Sequence, residues 1–121
     1  MIATTIEQSK RLLELGLDPN TADMYYTGHR SIYNPKEIEY TQVPRVRTKF
    51  VSFDRLEVFF PAWSLSALLE VMPKPDLYRD VADCWVCATF FKEGSVRGFG
   101  KTAIEAACDT ITKMFKNGLL Q

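Results

Sequence analysis

The chain has 121 residues, with 46% hydrophobic, 25% charged and 12% aromatic, and its 15 basic and 15 acidic residues cancel. That length suits one domain, 1–121, around one core, and the apolar content excludes wholesale disorder. Zero net charge leaves any phosphate-based grip on nucleic acid to a local patch, and no apolar run approaches the ~20 residues of a membrane span.

The N-terminus, MIATTIE, lacks the basic and apolar regions of a signal peptide. The three cysteines are an odd number, which suits reduced thiols. Both features lead to the expectation of a cytoplasmic protein without disulfides.

Thr4-Thr5-Ile6-Glu7 has capping-box spacing, with Thr4 at the N-cap and Glu7 three residues on. Ile6, Ser9, Leu12, Leu13 and Gly16 trace one helical face, and Gly16 supplies a left-handed stop. Asp18-Pro19 starts a second short turn through Met24. Residues 25–47 show no sustained period, so an irregular connection with one short strand is expected there. A loop of that length is unusual in a compact domain.

Residues 48–60, TKFVSFDRLEVFF, are rich in β-formers and suggest a hairpin from Lys49–Phe53 to Leu56–Phe60, ended by Pro61. Ser64 then caps a two-turn helix with Leu65, Leu68, Leu69 and Met72 on one face, and Pro73 and Pro75 close it. Residues 77–92 form a strand, Lys92–Ser95 a turn, and Val96–Phe99 the returning strand. Ala103–Phe115 is an amphipathic helix with Ile104, Ala107, Cys108, Ile111 and Phe115 as its stripe. The expected fold is α+β: an antiparallel sheet of about four strands, from 48–60 and 77–99, packed against the C-terminal helix. An N-terminal helix and a short central helix complete the layer.

Gly100-Lys101-Thr102 ends like a phosphate loop, but such a loop needs a glycine at position 95, which is Ser95. Thr102 and Glu105 form a second capping box instead, leaving Lys101 in solvent. Cys84-Trp85-Val86-Cys87 has the spacing of zinc or redox pairs. On a strand, however, residues three apart face opposite ways. Cys108 and His29, the only histidine, would have to complete any metal or catalytic set. Glu37 and Glu39 have the character of surface carboxylates. No cofactor, metal or catalytic residue is assigned.

Arg45, Arg47 and Lys49 alternate, so a strand would place three cations on one face, a surface for nucleic-acid phosphates that Arg97 and Lys101 would extend. The competing explanation is an edge strand defended by charge. Trp63 precedes the Ser64 cap and suits a hydrophobic staple onto the helix that follows.

LLELGLDPNTADM (12–24), PAWSLSALLEVMP (61–73) and GKTAIEAACDTITKMFKNG (100–118) together resemble small proteins encoded by phages and mobile elements of anaerobic gut bacteria. The likeness spans most of the chain and brings no known activity or catalytic residue. It implies a bacterial cytoplasmic protein of prophage origin. The strand–strand–helix ending also loosely resembles the ends of antitoxin-like and double-stranded-RNA-binding folds, a likeness of fold alone. The leading functional expectation is a non-enzymatic module that binds a protein partner or itself. The alternatives are nucleic-acid binding through the basic residues, and a metal or enzyme site around the cysteines and His29.

Overall fold

The computed structural model describes residues 2–119. Helix α1 spans Ile6–Leu15. Its capping box is Thr5 with Gln8, one residue beyond the expected pair: Gln8 N donates to Thr5 Oγ1 at 3.1 Å and Thr5 N to Gln8 Oε1 at 2.9 Å. Thr4 is taken by tertiary structure. Its hydroxyl accepts Trp63 N–H at 3.0 Å and lies 2.8 Å from Ser9 Oγ. Gly16, at φ 109°, stops the helix, and Leu17 N–H returns to Leu12 O. Asp18 caps a single 3₁₀ turn, Pro19–Thr21.

The stretch 25–47 is more ordered than its composition suggests. It contributes β1 (Met24–Arg30), β2 (Ile38–Tyr40) and β3 (Arg45–Val46). β2 and β3 pair antiparallel with successive parts of β1, Gly28 opposite Tyr40 and Met24 opposite Val46. They are two pieces of one returning path, broken at Thr41–Pro44. β4 (Phe59–Ala62) also pairs with β1 and completes a four-stranded sheet. Pro61 lies inside β4 rather than ending it. β4 has no second neighbour, and the edge position tolerates the missing N–H.

The expected hairpin over 49–60 is absent. Residues 47–58 turn instead, and Val51 and Phe53 fold inward as buried plugs. Arg47 stacks on Phe53, 4.5 Å from the ring centroid.

Helix α2 (Leu65–Val71) follows the Ser64 cap. The next expected strand, 77–92, is two strands: β5 (Pro75–Arg79) and β6 (Trp85–Phe91), joined by a tight turn with Asp83 at φ 61°. β7 (Gly94–Gly100) returns after Lys92-Glu93. These strands form a second antiparallel sheet in the order β5-β6-β7. Helix α3 (Ala103–Lys116) closes the fold. The architecture is α+β as expected, with the strands divided between two sheets.

The main core joins α1, α2 and α3 to the inner face of the second sheet through Leu12, Trp63, Leu68, Cys87, Ile111 and Met114. A smaller core lies under the first sheet, around Ala3, Met24, Tyr26, Phe60 and Ala62. Trp63 stands at the junction, fully buried in the same cluster as Leu68, as a staple requires. Its Nε1 donates to Thr21 Oγ1 at 2.9 Å. The Asp23 carboxylate accepts Ser64 N–H at 2.8 Å and also the Ser64 hydroxyl, tying β1 to the start of α2.

Candidate interaction surface

The second sheet has one face on the core and one face on solvent. Cross-strand register and alternation decide which side chains share each face. Leu77, Cys87 and Gly98 form one row across the three strands, with Thr89 and Val96 on the same side. That side receives α3, and Thr110 Oγ1 reaches Cys87 O at 2.8 Å.

The opposite side carries two rows. Tyr78, Val86 and Phe99 are directly opposite one another, and so are Asp76, Ala88 and Arg97. Phe90 extends the apolar strip along β6. Val86 and Ala88 are almost inaccessible, at 2% and 1%, yet they belong to neither core cluster. The larger side chains around them stand open: Tyr78 is 39% exposed, Phe90 42% and Phe99 52%. Three exposed aromatic rings therefore share this face, with the Asp76–Ala88–Arg97 row between Phe90 and the Tyr78–Val86–Phe99 row; exposed aromatics grouped on one face are the kind of feature found at contact surfaces.

The strip is bordered by charge. Asp76 and Arg97 sit at opposite ends of their row, and neither forms an ion pair with another described residue. Lys113 from α3 lies 5.0 Å from the centre of the Phe99 ring. Composition gave no pointer to this face. Its signal was the alternation Val96-Arg97-Gly98-Phe99, hidden because 77–92 reads as one continuous strand without the Asp80–Cys84 turn.

The other candidates separate in space or are already engaged. The Gly100-Lys101-Thr102 turn does start α3. Thr102 Oγ1 accepts Glu105 N–H at 3.1 Å, while the Glu105 carboxylate accepts Lys101 N–H at 2.9 Å. That carboxylate stands where a phosphate would have to lie. Cys87 is buried with Sγ 3.8 Å from Met72 Sδ, whereas Cys84 Sγ lies 3.5 Å from Gly100 O at the end of the sheet. Cys108 lines a groove of ≈ 300 Å³ between α1 and α3, with Gln8, Arg11, Leu12, Glu105 and Asp109. Burial, reinforced by the charges of Glu105 and Asp109, pushes its thiol from 9.0 up to about 12. A thiol held neutral is a poor nucleophile and a poor metal ligand.

His29 is on β1 in the first sheet, opposite Glu39, with Nε2 3.4 Å from Oε2. Cys87 in β6, and Cys84 just before it, belong to the second sheet. Among the described residues, no three His, Cys, Asp or Glu side chains gather around a common point for a metal ion. No helix of the described residues is long and apolar enough to cross a membrane.

The basic residues are also divided. Arg45 and Lys49 are exposed near β3. Arg47 is turned inward, where its guanidinium donates to Asn20 O at 3.2 Å and Ala22 O at 3.4 Å and covers Phe53. Arg97 and Lys101 belong to the second sheet and the turn after it. β3 is only two residues long, so the expected alternating row of three cations does not form.

A scan of protein-family models found no match to the chain, and comparisons with curated proteins and with solved structures found none either.

Proposed function

We propose that this chain is a non-enzymatic protein-interaction module that binds through the outer face of β5-β6-β7. The observation that carries this is the presence of three exposed aromatic rings, Tyr78, Phe90 and Phe99, on one face of the second sheet. Aromatic side chains are enriched at the centres of protein interfaces because they bury large area at small conformational cost. The reactive-looking groups support the same reading. Ser64 and Asp23 are engaged in a cap, the Cys108 thiol is held neutral, and the turn at Lys101 is filled by Glu105. A phage or mobile-element setting in a bacterial cytoplasm is part of the proposal and rests on the sequence resemblance.

A photo-crosslinking phenylalanine analogue placed at Phe90, expressed in cells, tests this. Discrete protein adducts are expected at that position and not at Asn34, an exposed control in the loop between β1 and β2. Equal labelling at both positions would refute the interface. Nucleic-acid binding through Arg45, Lys49, Arg97 and Lys101 is the competing reading. It predicts binding to DNA or RNA that weakens steeply with added salt.

A further inference from the structure

We infer that the partner fitting this face is a second copy of the same chain, docked sheet to sheet about a two-fold axis parallel to β6. This rests on the interaction-module reading and narrows it to one occupant. The geometry follows from the two rows. A two-fold axis lying between two stacked sheets, parallel to their strands, places β6 over β6 and β5 over β7. Each row then meets its own reverse. Asp76 faces the partner's Arg97, and Arg97 faces the partner's Asp76. Ala88 lies opposite Ala88 across the axis. One row along, Tyr78 faces the partner's Phe99, and Val86 lies opposite Val86 beneath them.

The pattern is self-complementary because opposite charges stand at opposite ends of one row with a small residue between them. An isologous contact requires that relation: if residue i touches j, then j touches i. Two like charges in that row would have forbidden the arrangement. Asp76 and Arg97 are both exposed and have no ion-pair partner within the described chain, so neither must give up a contact to form the new one. Stacked sheets lie ~10 Å apart, a gap that an arginine and an aspartate can bridge.

Edge-to-edge pairing through β7 is disfavoured. Asp109 accepts Phe99 N–H at 2.9 Å, and Lys113 donates to Arg97 O at 2.9 Å, so α3 seals that edge. A three-stranded face covers less than the ~800 Å² per partner of a stable complex, so the dimer is weak and reversible.

Charge reversal tests this in sedimentation-velocity runs from about 10 μM to 1 mM, a range suited to weak interfaces. Wild type is expected to shift from monomer to dimer across that range. Asp76→Arg gives a row with two cations and Arg97→Asp a row with two anions. Each variant alone is expected to dimerise at least about tenfold more weakly, because like charges then meet at both ends. Mixing the two variants in equal amounts is expected to restore a dimer. The double variant Asp76→Arg/Arg97→Asp keeps one charge of each sign and is also expected to dimerise. Circular dichroism checks that each variant is folded. If a reversed variant is not, Asp76→Asn and Arg97→Gln carry the same readout with a smaller effect.

A wild type that stays monomeric to about 1 mM overturns the inference, and the Phe90 crosslinking pattern then decides separately whether the face binds another protein. A dimer indifferent to both reversals overturns this face while leaving self-association standing. A monomer that binds single-stranded RNA, and loses it with Arg97→Asp, overturns the inference in favour of a base-stacking platform.

Discussion

Gly98 shows how closely one residue ties helix to sheet. A Cβ built there would fall 2.6 Å from Ala106 O and closer still to the backbone N and hydroxyl of Thr110. The obstructing atoms are mostly α3 backbone, which no rotamer change can move. Gly98→Ala must therefore push α3 off β7 along its length. The expected loss is ~3 kcal/mol, at the upper end for overpacked cores. Urea titration followed by Trp fluorescence measures it, and a change under about 1 kcal/mol would show that the helix can shift freely. Thr110 adds to the tie, since its hydroxyl reaches both Cys87 O at 2.8 Å and Ala106 O at 2.9 Å. Removing that hydroxyl leaves a buried carbonyl without its side-chain partner, while adding a methyl at Gly98 displaces a whole element. The second is the larger effect because it is shared by every contact along α3.

At the scale of elements, α3 both covers the second sheet and seals its edge. Phe99 is opposite Val86 in the β6–β7 ladder, and its N–H reaches Asp109 Oδ2 at 2.9 Å. The Arg97 carbonyl accepts Lys113 Nζ at 2.9 Å, and Asp109 and Lys113 pair with each other at 3.1 Å. The pair is partly exposed, so its ionic contribution to stability is small. Its larger effect is to deny other strands a template. Replacing both with Ala should cost roughly 1 kcal/mol and markedly shorten the lag before thioflavin-positive aggregates form. An unchanged lag would mean that the edge is protected by other means. The same elements show what the sequence made legible. α2 and α3 carried caps, stops and a 3.6-residue stripe, so they were readable nearly to the residue. α1 was misplaced by one position because two adjacent threonines offer the same cap chemistry, and only the burial of Thr4 against Trp63 and Ser9 chooses between them. The hairpin over 49–60 failed for a different reason. Its β-forming residues include Val51 and Phe53, and the core takes those two as separate plugs rather than as one strand face. The stripe of cations failed with it, since Arg47 is drawn onto Phe53 and away from Arg45 and Lys49.

Across the whole molecule, both cores hold ionisable groups in their neutral forms. Burial raises the Cys87 thiol, opposed by the Thr110 hydrogen bond and aided by Asp76. Burial together with Glu105 and Asp109 takes Cys108 from 9.0 to about 12. Burial raises Tyr26, and burial with Glu57 raises Tyr40. The four sit in different parts of the fold, with Cys87 and Cys108 against the main core and Tyr26 and Tyr40 against the smaller one. All four act with the same sign. When the folded value lies above the unfolded one, the folded chain holds the proton longer. Below about pH 9 both states are protonated at the thiols, and these groups leave stability independent of pH. Above it the unfolded chain releases protons that the folded chain keeps, so unfolding becomes progressively easier until the folded thiols ionise as well. For Cys108 the window runs from 9.0 to about 12, which bounds its share at about 4 kcal/mol by the linkage relation. The denaturant midpoint is therefore expected to hold steady from about pH 7 to 8.5 and to fall continuously above about pH 9. Cys108→Ala should flatten part of that fall without abolishing it, because Cys87 and the two tyrosines remain. Thiol alkylation gives an independent check: at about pH 8 Cys108 should react far more slowly in the folded chain than in urea. A midpoint that stays level to about pH 11, or a Cys108 alkylated as fast folded as unfolded, would mean that water reaches the α1–α3 groove and that neither core excludes charge.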